Sequence, residues 1–178
     1  LIAKHKDFHD FTIGILNSIK QGLKNKDDGA YASTAKKLNE DYELFKTKFD
    51  ENKYPDFNDS FIELIKDAVE KVYPNTIIFN ARGGKIPHQN WTEAYARILI
   101  GGVGLERGYT IKGLTVSYLS RDRARQDDTL LQRARFFGYH KAYNQFVRVF
   151  LSRNSQEYYK EISEINTNFI NSVKKFQN

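Results

Sequence analysis

The chain has 178 residues, of which 40% are hydrophobic and 14% aromatic, and this is enough apolar material for the core of one domain. Its formal net charge of +6 favours acidic partners, with nucleic acid foremost. The absence of cysteine excludes disulfides and thiolate metal sites, and no apolar run reaches membrane-spanning length, so we expect a cytoplasmic protein without a membrane segment.

The first part of the chain is predicted to hold one strand and three helices. Leu1-Ile2-Ala3 is interpreted as a strand that leads into a helix capped by Asp7. Three sets of apolar residues at helical spacing indicate the helices: Phe8, Phe11, Ile15 and Ile19; Ala35, Leu38, Tyr42 and Phe45; Phe61, Leu64, Ala68 and Val72. Pro55 and Pro74 follow the second and third sets, where a helix would end. We interpret residues 24–74 as a helical insertion.

The second part of the chain has the sequence pattern that is typical of a parallel sheet. Short apolar runs at residues 77–79, 98–100, 114–119 and 146–151 are predicted to be buried strands, and the spacing from Ile162 onward predicts a closing helix. We therefore predict an α/β fold, a three-layer sandwich with a mainly parallel sheet, as a single domain over residues 1–178. Because the chain begins without methionine, we expect it to be a piece of a longer polypeptide.

Three segments follow predicted strands, where the ligand-facing loops of an open parallel sheet gather. They are residues 80–82, 101–110 and 120–125. None of them is a Walker loop, because Gly83-Gly84-Lys85 is followed by Ile86 rather than serine or threonine and no G-x-x-x-x-G-K-[ST] run occurs. If the chain binds a nucleotide, it would therefore form only one side of a binding site that another lobe completes.

The run LERGYTIKGLTVSYLSR, followed by DDTLLQRARFFGY, resembles the Z-one domain family, which is similar to the C-terminal lobe of superfamily-two helicases. The resemblance implies that Arg107, Gly108 and Thr110 match helicase motif five, which senses nucleotide and touches the nucleic-acid backbone. It implies that Gln132, Arg135 and Gly138 match motif six, whose arginine contacts the γ-phosphate of ATP. His140 stands where relatives usually carry a second arginine, and a histidine is only partly charged near neutral pH.

The resemblance implies an ATP-dependent translocase of a bacterial restriction or defence system. Its P-loop-NTPase-like second lobe would supply an arginine finger, with Arg135 and Gln132 as catalytic residues and Arg107, Gly108, Thr110, Gly138 and His140 at the nucleotide. ATP with Mg²⁺ would be held mainly by an N-terminal ATPase lobe of the same polypeptide. We therefore expect the isolated chain to hydrolyse no ATP.

An arginine run after the third predicted strand is interpreted as a nucleic-acid contact. Arg121, Arg123 and Arg125 alternate with other residues there, and guanidinium groups suit phosphate oxygens. Asn80, after the first predicted strand, is assigned to the same role, and DNA is favoured over RNA. The alternative is a solvated loop whose charges are partly cancelled by Asp122, Asp127 and Asp128.

Two other functions remain open from the sequence. A nuclease would need acids and a lysine that converge on a metal. Asp56, Glu63 and Lys66 are one candidate set, although two residues separate Glu63 from Lys66 and the spacing around Glu63 is helical. Glu51 and Lys53 have the required spacing, but they sit at a helix end before proline. A non-catalytic lobe that binds DNA or a partner protein would need no turnover. His5 and His9 have a spacing that could hold a metal on one helix face, but no carboxylate on another element supports them, and no metal site is predicted.

Overall fold

The computed structural model describes residues 2–46, 54–79, 94–102, 105, 111, 113–119 and 146–175. The chain forms two compact units, residues 1–105 and 106–178. Within the described ranges the fold is mixed α/β, with four helices and two parallel two-stranded sheets. The predicted α/β class and the parallel strand pairing are confirmed. The three-layer sandwich and the single domain stay predictions.

The first unit begins with three helices, α1 (Ile2–Gly22), α2 (Gly29–Lys46) and α3 (Asp59–Val72). The carboxylate of Asp28 accepts a hydrogen bond from the backbone N–H of Ala30 (3.1 Å) at the start of α2. Asn58 caps α3 in the same way, since its side-chain oxygen accepts from the backbone N–H of Phe61 (3.0 Å). A 3₁₀ turn, Tyr73–Asn75, ends α3 where proline would break the helix. The two helices predicted within residues 24–74 are confirmed.

A small apolar core joins the three helices. Leu23, which is fully buried, lies with Tyr31 and Ile62 at its centre, and partly buried apolar side chains surround them: Ile19, Ala35, Leu38, Phe57 and Ile65. An aromatic cluster extends the core, because the ring centroid of Tyr42 lies 4.6 Å from that of Phe61. The predicted apolar patterns of α2 and α3 therefore face the core in part, as amphipathic helices do.

Two parallel strands, β1 (Thr76–Phe79) and β2 (Ile98–Gly101), complete the first unit. Thr76 pairs with Ile98 and Phe79 pairs with Gly101, so the strands are in register over their whole length. α1 packs against both strands. Phe79 and Ile100 are buried, which confirms that the apolar runs of β1 and β2 are core strands.

The second unit contains β3 (Val116–Leu119), β4 (Arg148–Leu151) and the long helix α4 (Arg153–Lys175). β3 and β4 pair in parallel from Val116 with Arg148 to Leu119 with Leu151. Gly113, just before β3, has a φ of +79°, a conformation that L side chains rarely adopt. β3 and β4 differ from the predicted buried strands, since Val116, Tyr118 and Phe150 are exposed.

The prediction for the start of the chain was wrong. Ile2 and Ala3 belong to α1, so the segment is helical rather than a strand, and Asp7 lies inside this helix rather than at its cap. Three apolar residues are too few to show strand alternation, and the lysines at positions 4 and 6 are good helix formers. The helix therefore extends to the first described residue.

Candidate functional site

The carboxyl ends of β1 and β2 lie side by side, because Phe79 and Gly101 are register partners in a parallel pair. The chain turns sharply after β2, where the backbone N–H of Leu105 donates to the carbonyl of Gly102 (2.9 Å). A Cβ at position 101 would come within 2.9 Å of the Phe79 carbonyl oxygen and 3.2 Å of Leu105 Cβ. Glycine at position 101, the last residue of β2, is therefore required by these neighbours.

The carboxyl ends of β3 and β4 form a similar edge in the second unit, where Leu119 pairs with Leu151. Ser152 begins α4 at this edge: its hydroxyl oxygen accepts from the backbone N–H of Ser155 (3.2 Å). The side-chain amide of Gln156 donates to the carbonyl of Leu151 (3.0 Å). These bonds satisfy polar groups at the strand end and the helix start.

The predicted site residues lie outside the described residues. This holds for the catalytic pair Gln132 and Arg135 and for every other assigned position: Asn80, Arg107, Gly108, Thr110, Arg121, Arg123, Arg125, Gly138 and His140. In the sequence, Asn80 directly follows β1, which ends at Phe79, and Arg121 closely follows β3, which ends at Leu119. The roles assigned to these side chains stay predictions.

Ser152, Ser155 and Gln156 are polar residues at a parallel strand end that the sequence analysis did not assign. Ser155 is buried, and the Ser152 hydroxyl lies 3.1 Å from the Ser155 hydroxyl. The signal was present in the sequence, because serine directly after an apolar run and before a helical pattern is typical of a helix N-cap. Their hydrogen bonds assign them to the start of α4.

Among the described residues, the ionisable groups with shifted pKa values lie in the helical part of the first unit. A hydrogen bond from Lys26 Nζ to the Asp59 carboxylate (3.0 Å) raises the pKa of Lys26. A hydrogen bond to Glu43 likewise raises the pKa of Lys46. The Lys26–Asp59 ion pair is exposed and the Lys46–Glu43 pair is partly exposed, so water and salt screen both pairs and their contribution to stability is small.

The residues weighed for metal-dependent cutting belong to the helical part of the first unit. Glu63 and Lys66 lie on α3 and pair with each other, with Lys66 Nζ 3.0 Å from the Glu63 carboxylate. His5 and His9 both lie on α1, and His9 Nδ1 is 3.2 Å from the Asp10 carboxylate. Among the described residues no group of three or more histidine or acidic side chains could hold a metal ion. No helix in the described ranges is both long and apolar enough to span a membrane.

The family model described as the Z1 domain matches residues 1–178, the whole of the chain. No curated protein and no solved structure matches the chain. The match covers the strand ends of both units as well as the helical pair between α1 and β1.

Proposed function

Since the chain belongs to the Z1 domain family, as the match over its whole length shows, we propose that it is the second lobe of a helicase-like, ATP-dependent nucleic-acid translocase. The proposal includes a three-layer, P-loop-NTPase-like arrangement, a restriction or defence role and a preference for DNA. A first lobe carrying a Walker loop would complete the site. The second unit contains the residues assigned to nucleotide chemistry, because positions 107–140 all fall within residues 106–178.

The parallel pairing of β3 with β4 is the observation that carries this proposal. Adjacent parallel strands need a crossover connection, and residues 120–147 are that connection. The crossover leaves β3 at its carboxyl end, where ligands of α/β sheets bind. Arg121 is two residues beyond Leu119 in the sequence, and we therefore propose that the arginine run lies near this edge. The Gln132-x-x-Arg135 pattern lies farther along the same crossover, in the order that the family resemblance implies.

The chemistry of the assigned side chains fits a nucleoside triphosphate. Guanidinium groups at Arg107 and Arg135 and the amide of Gln132 are donors suited to phosphate oxygens. Bound ATP would supply the phosphoryl bond whose hydrolysis drives movement. Arg135 would stabilise the charge that develops on the transferred group, and Gln132 would orient it. As the family resemblance implies, we assign Mg²⁺ mainly to the first lobe.

The sharpest test replaces Arg135 by alanine in the full-length protein. We expect the ATPase rate per folded molecule to fall by about a hundredfold or more, with little change in melting temperature or nucleic-acid affinity. Arg135→Lys should not restore the rate, because an ammonium group cannot reproduce the planar fork. Arg153→Ala is the matched control, since Arg153 is exposed and forms an ion pair with Glu157 on the same helix (3.2 Å).

The competing explanation gives a different pattern. If Arg135 only steadies its own segment by pairing with a nearby aspartate, its loss lowers the melting temperature and leaves the ATPase rate per folded molecule unchanged. That result would overturn the finger assignment. A full-length protein that binds nucleic acid without any ATPase activity would favour the non-catalytic lobe.

A second test addresses nucleic-acid contact by the arginine run. Changing Arg121, Arg123 and Arg125 together to glutamine should weaken DNA binding and reduce its salt dependence by about one unit of slope per lost phosphate contact. The control removes the same positive charge from exposed positions of the first unit: Lys24, Lys36 and Lys37, each to glutamine. An equal reduction by both triple variants would indicate general electrostatics instead of a site. Fluorescence anisotropy with DNA and RNA of one sequence measures both the salt dependence of binding and the preference for DNA over RNA.

A further inference from the structure

A cleft of about 250 Å³ lies in the first unit between the last turn of α1 and the second half of α3. Its apolar lining comes from Ile19, Leu23 and Val69. Leu23 and Val69 are buried and Ile19 is partly buried, so packing against neighbouring side chains fixes the walls of the cleft. Apolar walls with a few polar groups are the common form of a small-molecule site.

Lysines dominate the polar part of this lining. Lys20, Lys24 and Lys66 contribute three positive charges, whereas Glu70 contributes one negative charge and Gln21 a neutral amide. Lys20 Nζ lies 3.4 Å from the Glu70 carboxylate, and both side chains are at least half exposed, so solvent screens this pair. The cleft therefore presents an excess of positive charge beside its apolar walls.

The lysines reach the cleft from two different helical segments. Lys20 and Lys24 lie at the end of α1, where a lysine also interacts favourably with the helix dipole. The dipole of α1 does not account for Lys66, which comes from α3 and pairs with Glu63 (3.0 Å), a residue outside the cleft lining. Lys24 has no ion-pair partner within the described ranges, so its three N–H donors are available to a ligand.

From this convergence we infer that the cleft binds a small organic acid. Its carboxylate or phosphate group lies between Lys24 and Lys66, and its short apolar body lies against Ile19, Val69 and the methylene stems of the lysines. The volume is below the roughly 300–1,000 Å³ of sites for drug-sized ligands, so the ligand is smaller than a nucleotide. The inference rests on described residues of the first unit alone and does not depend on the proposed translocase function.

A nuclear magnetic resonance titration of the full chain at constant ionic strength tests the site. The probes are hexanoate and hexyl phosphate, acetate as the acid without the apolar body, and 1-hexanol as the body without the acid. We expect both hexyl acids to shift the backbone amide signals of Gln21, Lys24 and Val69, with saturation in the millimolar range. Acetate should bind at least about threefold more weakly because it buries less apolar surface. 1-Hexanol should bind more weakly than either hexyl acid, and the stronger of the two acids identifies the acid class.

Charge variants separate a site from general screening. Lys24→Gln and Lys66→Gln should each weaken hexanoate binding by about two- to fivefold, the effect of a partly exposed charge contact. Glu70→Gln should strengthen binding by a similar factor, because it removes the acid among the described residues that line the cleft. Lys36→Gln is the matched control, since Lys36 is an exposed lysine of α2 outside the cleft lining. Urea unfolding of each variant establishes that the fold is retained.

Three results would overturn the inference. The first is the absence of saturable shifts at the cleft with millimolar hexanoate. The second is equal weakening by Lys24→Gln and Lys36→Gln, which would mean that binding responds only to net charge. The third is a Lys24→Gln variant that is less stable but binds hexanoate as the wild type does, which would leave Lys24 only the role of stabilising the end of α1. If acetate binds as strongly as hexanoate, the assigned ligand class is wrong.

Discussion

Gly101 is the position where a single methyl group most directly tests the strand-end geometry. In Gly101→Ala the new Cβ would lie 2.9 Å from the backbone oxygen of Phe79 and 3.2 Å from Leu105 Cβ. The oxygen belongs to the paired strand β1, so it cannot withdraw without disturbing the β1–β2 register. Overpacking of this kind costs about 1–3 kcal/mol. The reduced entropy of the unfolded chain offsets about 0.4–1 kcal/mol of that, so we expect a net destabilisation of roughly 1–2 kcal/mol.

Gly14→Ala is the matched control for this measurement. Gly14 lies within α1, and a Cβ there would meet no atom within 4 Å. Alanine is favoured over glycine inside a helix by roughly 0.5–1 kcal/mol, so this variant should be more stable than the wild type. Urea unfolding followed by far-UV circular dichroism compares the two midpoints. The reasoning about the strand end is refuted if Gly101→Ala is as stable as Gly14→Ala.

Two further predictions concern the helical scaffold. Tyr42→Phe removes a hydroxyl that donates to the carbonyl of Pro55 (2.6 Å) and should lower the free energy of unfolding by about 1 kcal/mol. Desolvation raises the pKa of Tyr42 above 10.0. The contribution of the hydroxyl to stability is therefore complete below pH 10.0 and is lost as the pH rises through the raised pKa. If the urea midpoints of wild type and Tyr42→Phe differ by the same amount at high pH as at neutral pH, this expectation is wrong. Gly22→Ala should be destabilising by about 1–3 kcal/mol because its Cβ would collide with the Thr34 hydroxyl. Adding Thr34→Ala should recover part of that loss, and strictly additive effects in the double-mutant cycle would show that no such contact exists.

The sequence predicted the secondary-structure elements that have strong local signals. β1 and β2 were found because short β-branched runs bounded by turn residues can form few other structures. α3 was found because its apolar residues recur at helical spacing and stop near Pro74. The strand at the start of the chain was wrong because the three residues carry no periodicity of their own.

Exposure was predicted less well than element type. The apolar residues of β3 and α4 are of the same amino-acid types as the core residues, yet Tyr118 and Phe169 are 62% and 67% exposed. Periodicity identifies the face that prefers to be buried, whereas the surface that covers this face depends on contacts distant in sequence or on a partner. For α4 the spacing from Ile162 onward predicted the helix, but it did not predict that Phe169 would be exposed.

The proposed site rests on two kinds of support that separate experiments can divide. The arginine run starting at Arg121 follows the carboxyl end of β3, so parallel-sheet topology supports its role without reference to any family. Gln132 and Arg135 are more than ten residues beyond the end of β3 in the sequence, so the strand-end rule does not apply to them, and only the resemblance to helicase motif six assigns their chemistry. A normal ATPase rate in Arg135→Ala would therefore remove the arginine-finger assignment from the proposal and leave the nucleic-acid contact standing. An unchanged salt slope in the arginine triple variant would do the reverse, because phosphate contact at the strand end and catalysis across the nucleotide are independent requirements.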